Sequence, residues 1–208
     1  MRTLTVYVDV KSPYAYLALA PTRALCAAHG VAIDWLPYVL DIPSYLGSAR
    51  LDPATGAVIE SARTEAQWRK VKYAYMDVRR QANRAGLTIR GTQKIWDTRL
   101  VSIALLFAKR VAPPRVDAWL DAVFAPFWRR ELDVEQCSVV EETLRGVGID
   151  ARGFAELAAG DGARELERVM EEAHARGVFG VPSFLLGGEL FWGREHLPLI
   201  GERLAATR

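Results

Sequence analysis

Asp9-Val10-Lys11-Ser12-Pro13-Tyr14-Ala15-Tyr16 is where the first apolar run of the chain stops and its first helix begins. Before it, Leu4, Val6, Val8 and Val10 alternate with Thr5, Tyr7 and Asp9, the period of a strand. At its centre Ser12 supplies an N-cap hydroxyl, and Pro13 takes the first helical position, where its missing N–H costs nothing. The helix is expected to reach His29, with Pro21 kinking or dividing it. A hydroxyl is thereby set at the positive end of a helix dipole, beyond the C-terminal edge of a strand, which is a place to hold an anion.

Outward from this point the order of elements is readable. Gly30 closes the helix, and Val31 to Leu36 reads as a second strand, so the opening is a right-handed parallel βαβ unit. Residues 37–60 carry Pro37, Pro43, Gly47, Pro53 and Gly56 and read as a long loop with one short helical turn. From Thr64 to Ala85, Trp68, Val71, Tyr75 and Val78 fall at helical spacing, while Arg69, Lys70, Lys72, Arg79 and Arg80 read as a solvated face. Asp97 is expected to cap an apolar helix ending near Arg110. A further helix, Val116 to Arg130, carries Trp119, Phe124, Phe127 and Trp128 as a core stripe. Shorter helices follow near 138–147 and 151–159, then one from Gly162 to Arg176. Near the end, Gly187-Gly188 signals a hairpin between Ser183–Leu186 and Glu189–Trp192, and a last helix runs from about Glu195 to Ala206. The order βαβ, helical block, ββα is that of a thioredoxin-like α/β core split by a large all-helical insertion. Residues 1–40 and 177–208 would form the core domain and 41–176 the loop and insertion.

Composition narrows the function. With 208 residues and a net charge of +2, nothing marks nucleic acid or an anionic membrane as partner. No apolar run approaches the ~20 residues of a membrane span. The chain enters a strand at once, which leaves no room for a signal peptide, and no metal-ligating spacing is read. Cys26 and Cys137 are far apart and in no CxxC motif, which fits a reducing, cytoplasmic setting. Cys26, inside a helical pattern, reads as a buried small residue.

In such a core the Val181-Pro182 bond, expected cis, faces the start of the first helix and would turn the Val181 backbone toward an extended, peptide-like ligand. A disulfide-exchanging enzyme needs Cys-x-x-Cys at that helix. Here Ser12-Pro13-Tyr14-Ala15 stands there, and dithiol chemistry is excluded. His29, His174 and His196 lie elsewhere in the sequence, so Ser12 has no evident base to make it a nucleophile. It is better suited to donate a hydrogen bond to a thiolate brought by a ligand. Such a bond is worth roughly 1.5–3 kcal/mol and a helix N-terminus roughly 0.3–2. At about 1.4 kcal/mol per pKa unit, a thiol near 8.5 would fall by about 1–3 units. Lys11 either adds to that field or points away from it.

Asp9 to Leu17, Gly177 to Phe184 and Phe191-Trp192-Gly193-Arg194-Glu195-His196-Leu197 resemble the 2-hydroxychromene-2-carboxylate isomerases. These are grouped with the kappa-class glutathione transferases in the DsbA-like thioredoxin superfamily. The resemblance implies a glutathione-dependent isomerase with a small-molecule substrate, acting as a homodimer. It assigns thiol activation to Ser12, glutathione contacts to Ser12, Pro13, Tyr14, Val181 and Pro182, and the γ-glutamyl end to Arg194 and Glu195. Lys94, Trp96 and Asp97 are substrate-side candidates. Two departures stand out. Glu195 replaces the usual Asp, and residues 37–60 contain no Asn, where the family commonly uses one. Two alternatives stay open: a kappa-like glutathione transferase, and a non-catalytic DsbA-like thiol- or peptide-binding protein.

Overall fold

The computed structural model describes residues 2–206; the expected domain limits at residues 1 and 208 lie outside them. Four strands form the central sheet in the order β2-β1-β5-β6. β1 (Thr3–Val8) pairs parallel with β2 (Ala32–Pro37) across α1 (Pro13–His29), and Leu4 faces Ile33 in register. β5 (Ser183–Leu186) lies antiparallel on the other side of β1, and β6 (Glu189–Trp192) pairs with β5 through a tight turn at Gly187 and Gly188. The sheet thus joins the two ends of the chain. α1 runs unbroken through Pro21 and ends at Gly30, whose φ of 63° is the left-handed cap that glycine takes without strain.

Between β2 and β5 come α2 (Ile42–Leu46), a two-stranded hairpin of β3 (Ala49–Leu51) and β4 (Val58–Ser61), and α3 (Glu65–Arg84). They are followed by α4 (Arg99–Val111), α5 (Val116–Trp128), α6 (Cys137–Gly146), α7 (Phe154–Ala159) and α8 (Gly162–Ala175); α9 (Leu197–Ala206) closes the fold. The hairpin corrects the expectation of an all-helical insertion and of a loop over 37–60. Its turn is built on Asp52, whose Oδ1 accepts the amides of Ala54 (3.0 Å) and Thr55 (2.7 Å). Val58 and Ile59 stay exposed, so the strands lack the buried alternation that announces a strand in sequence.

α4 is the hub of the insertion. Residues Val101 to Ala108 are all buried, against α5, α6, α7 and α8 on one side and β2 on the other. Trp119, Phe124, Phe127 and Trp128 of α5 are buried as core, Tyr16 of α1 stacking on Phe124 with ring centres 5.8 Å apart. α3 is amphipathic: Val71, Val78 and Ala82 are buried, and Thr64 with Gln67 closes its N-terminus as a reciprocal capping box.

Two helical glycines should respond to alanine with opposite signs. A Cβ at Gly162 would meet Ile103 Cγ2 at 2.7 Å and the Leu157 carbonyl oxygen at 2.8 Å, whereas Gly146 has open space. Gly162→Ala is expected to cost about 1–3 kcal/mol. Gly146→Ala is expected to gain about 0.4–1 kcal/mol. Urea unfolding midpoints of the two variants against wild type check both.

Candidate functional site

Ser12 sits at the N-cap of α1 with extended backbone (φ −92°, ψ 111°) and is buried. Its Oγ accepts the Ala15 amide at 3.2 Å, and its own amide donates to the Asp9 carbonyl at 2.9 Å, which closes the turn out of β1. The Ser12 hydroxyl points at the Val181 carbonyl, 3.4 Å away, and the Val181-Pro182 bond is cis. A separation of 3.4 Å is beyond the usual O–H···O range, so this proton is loosely held and can turn to a better acceptor. The Val181 amide makes no hydrogen bond among the described residues.

Beneath Ser12 lies a buried ion pair. Asp9 Oδ2 is 3.5 Å from Lys11 Nζ, with both side chains nearly inaccessible. Asp9 also accepts the amides of Leu40 (2.8 Å) and Lys11 (3.2 Å). Burial pushes the Asp9 pKa above the ordinary carboxyl value, and Lys11 is the largest opposing influence. Lys11 Nζ lies 3.4 Å from the Trp96 carbonyl and lines the cleft beside Ser12. Its ammonium is therefore held inside the wall of the site.

Two cavities meet at Ser12's edge of the sheet. One, of about 560 Å³, is largely apolar and includes Lys11, Ser12, Pro13, Tyr14, Val181, Lys94 and Trp96 in its wall. The other, of about 780 Å³, carries more polar groups and is bounded by Pro182 and by the polar side chains of Arg194, Glu195, Asp77 and Gln81. Tyr14, Val181 and Trp192 belong to both, so the cis-proline loop divides a continuous groove. The structure thus brings together every sequence-derived site residue except Asp97. That residue lines neither cavity; its exposed carboxylate is held by Arg99, which lowers its pKa. Nor is it the cap of α4, for Thr98 occupies the N-cap. Lys94 is engaged from outside the cleft by Glu135 Oε2 at 2.5 Å, its Nζ 4.3 Å from the Trp96 ring centre.

The polar end holds residues the sequence did not single out. Tyr14 Oη donates to Asp77 Oδ2 at 3.0 Å, Gln81 Nε2 donates to the same oxygen at 2.6 Å, and Arg194 donates to Gln81 Oε1. Burial, then the Asp77 carboxylate, push the Tyr14 pKa up to about 12, so its hydroxyl remains a donor at neutral pH. Asp77 and Gln81 lie one helical turn apart on α3, which in sequence is the spacing of any polar face. Phe179 and Trp192, ring centres 4.9 Å apart, wall the apolar end. Cys26 is buried with its thiol pushed up to about 11 by burial, Cys137 is also raised first by burial, and neither lines the groove. Among the described residues no His, Cys, Asp and Glu group is arranged to hold a metal ion, and no helix is long and apolar enough to cross a membrane.

A thioredoxin-type sheet, a cis-proline loop and a serine where the redox dithiol would stand define a DsbA-type protein that lacks the dithiol itself. The chain belongs to the DSBA-like thioredoxin domain family, whose model matches residues 3–205. It is 25% identical to a 2-hydroxychromene-2-carboxylate isomerase of Sphingobium xenophagum over 205 residues, 96% of each chain. Its fold is similar to a solved 2-hydroxychromene-2-carboxylate isomerase at a TM-score of 0.75 and 20% identity, covering 99% of this chain and 95% of that one. It is also similar to the cytosolic disulfide reductase DsbM of Pseudomonas aeruginosa with GSH, at a TM-score of 0.61 and 16% identity over 99% and 98% of the two chains.

The ion pair under Ser12 gives a two-part test. Asp9→Asn leaves the Lys11 ammonium buried without its counter-charge and is expected to cost about 3–5 kcal/mol. Adding Lys11→Met should restore at least half of that loss. Chemical denaturation of wild type, single and double variants checks it, and a double variant no more stable than Asp9→Asn refutes it.

Proposed function

We propose that the groove binds glutathione with its sulfur at Ser12, and that the protein is a glutathione-dependent isomerase of unsaturated carbonyl compounds. One observation carries the reading: a buried N-cap hydroxyl with a loosely held proton, in the wall of the apolar cavity and 3.4 Å from the Val181 carbonyl, a residue that this cavity shares with the second one. The residues fit the group. Glutathione's γ-glutamyl end is a zwitterion, and the polar cavity offers the Arg194 guanidinium and Gln81 amide for a carboxylate. It offers the Asp77 and Glu195 carboxylates for an ammonium. The unpaired Val181 amide suits the peptide backbone of the same ligand. That DsbM is solved with GSH supports glutathione as the ligand for this fold. The isomerase activity by which the Sphingobium relative is named supports the reaction class.

Bound there, glutathione would supply a thiolate able to add reversibly to a conjugated carbonyl, free rotation about the former double bond, and be expelled with the double bond restored. The residues of this chain do the rest. Ser12 Oγ turns its proton from Val181 to the sulfur, and the N-terminus of α1 adds its positive end. The Lys11 ammonium, held within the wall by Asp9, contributes further positive potential. Phe179 and Trp192 present aromatic faces at the mouth of the apolar side, where the electrophile lies. The same thiolate would serve a transferase if the electrophile carried a leaving group.

Calorimetric titration of glutathione into wild type and Ser12→Ala from pH 6 to 9, with ultraviolet absorbance following the thiolate, tests the reading. The bound thiol pKa should lie about 1–3 units below its usual value of about 8.5. In Ser12→Ala it should return by at least one unit, with turnover falling at least tenfold. Equal thiolate content in the two proteins would leave a non-catalytic binder. Failure to bind at millimolar glutathione would remove the cofactor.

A further inference from the structure

The wall of the apolar cavity carries the hydroxyls of Ser12, Tyr14, Tyr45, Tyr75 and Thr92. The Tyr14 hydroxyl donates to Asp77, those of Tyr75 and Thr92 pair with each other at 3.0 Å, and the Ser12 oxygen caps α1. The Tyr45 hydroxyl alone has no hydrogen-bond partner among the described residues. Hydroxyl groups that a fold shelters from water are nearly always paired, so an unpaired one in a cavity wall calls for a reason.

Tyr45 lies on α2, and its backbone is tied to the start of α3. Gln67 donates to the Tyr45 carbonyl at 3.4 Å, and Arg63 donates to the Gly47 carbonyl at 3.3 Å. Gly47, at a left-handed φ of 63°, turns the chain against residue 63: a Cβ there would meet the Ala62 carbonyl oxygen and the Arg63 side chain at 3.1 Å. The ring is thus carried on a braced support while its hydroxyl stays free. Half of the residue is exposed, yet burial is the first cause that pushes its pKa up to about 12, and the Asp9 carboxylate is the second. Asp9 is inaccessible beneath Ser12. The hydroxyl is therefore the inner end of the ring, on the Ser12 side of the cleft, and at neutral pH it remains a donor. Around it the wall is the apolar surface of Leu40, Ile42, Leu46 and Val71, where a single donor acts more strongly than in water.

We propose that the Tyr45 hydroxyl binds the carbonyl oxygen of the compound that occupies the apolar cleft. Its part in a reaction rests on the thiol reading above; the hydrogen bond itself does not. As a carbon–sulfur bond forms at the far carbon of the conjugated system, the electron pair of the double bond shifts toward that oxygen. Tyr45 meets the growing charge with a stronger hydrogen bond and keeps its proton, and the pair returns when the carbon–sulfur bond breaks.

The probes are (E)-4-(4-dimethylaminophenyl)but-3-en-2-one and (E)-1-(4-dimethylaminophenyl)-3-methylbuta-1,3-diene, which has a methylene group in place of the ketone oxygen. Each is titrated, without glutathione, into the full chain of wild type and Tyr45→Phe. That substitution removes one unpaired hydroxyl from a half-exposed ring, so the melting curve should match wild type. The ketone is expected to bind about fivefold more weakly to the variant, as loss of one neutral hydrogen bond predicts. Its visible band should lie at shorter wavelength there than in wild type, because the carbonyl is less polarised. The diene should bind the two proteins within about twofold of each other. No binding of the ketone to wild type, equal ketone affinity and band in the two proteins, or equal weakening of ketone and diene would each overturn the assignment. If glutathione fails to bind while the ketone behaves as expected, the oxygen site stands and the thiol reading alone falls.

Discussion

The buried carboxylate of Asp9 is the constraint on which the site depends. It accepts the amide of Lys11 just after β1 and the amide of Leu40 just after β2, and it faces the Lys11 ammonium. The ends of two adjacent parallel strands are thereby fixed to one point. The Asp9 carbonyl receives the Ser12 amide, so the same residue also sets where α1 begins. Ionised carboxylates avoid such burial unless hydrogen bonds and an opposite charge compensate for lost water. Here the compensating groups are the ones that shape the turn. Electrostatic satisfaction of Asp9 and placement of the Ser12 hydroxyl are one geometric condition.

The parts of the fold legible in the sequence are those where a local rule and the tertiary structure agree. Ser12-Pro13 is a helix start by side-chain chemistry alone, Gly30 a helix end by backbone freedom, and Gly187-Gly188 a hairpin turn by the same freedom. The aromatic stripe of α5 is core because its spacing leaves it no other face. The β3–β4 hairpin fails this test: its strands are three and four residues long, two of the apolar side chains are exposed, and pairing rather than burial makes them strands. Asp97 failed for a similar reason. Its carboxylate does accept the Arg99 amide at 3.0 Å, but Thr98 holds the N-cap and the Arg99 guanidinium holds the same carboxylate away from the cleft. Lys72 and Arg79 show the remaining limit. A row of cations on a helix looks like any solvated face; that two of them, still exposed, border a cavity beside the segment 91–95 is set by tertiary structure alone.

Asp77 and Gln81 were hidden in the same way, by distance along the chain. The groove needs α3 beside α1, and that contact is made by Tyr14, which belongs to the Ser12 motif, reaching Asp77 at 3.0 Å. The motif is therefore more than a helix-capping serine. Its tyrosine ties the start of α1 to the helix that supplies the polar end of the groove. Its proline gives the helix a first residue that needs no hydrogen-bond acceptor.

Serine in place of cysteine changes what the site requires of a ligand. A cysteine at a helix N-terminus carries its own anion, and the field lowers that thiol's pKa. With Ser12 the field and the donor remain, but the anion must arrive with the ligand. Oxygen here forms no disulfide, so under the proposed reading a ligand sulfur would be held by hydrogen bonding and charge alone. Affinity must then come from the remainder of the ligand, which is a role for the polar cavity bounded by Asp77, Gln81, Arg194 and Glu195. Reactivity must be directed by a separate apolar space on the other side of Val181. A dithiol enzyme can work from an open face, because its partner is captured covalently. The absence of the dithiol gives a physical reason for two unlike cavities meeting at Val181, whose carbonyl the Ser12 hydroxyl faces.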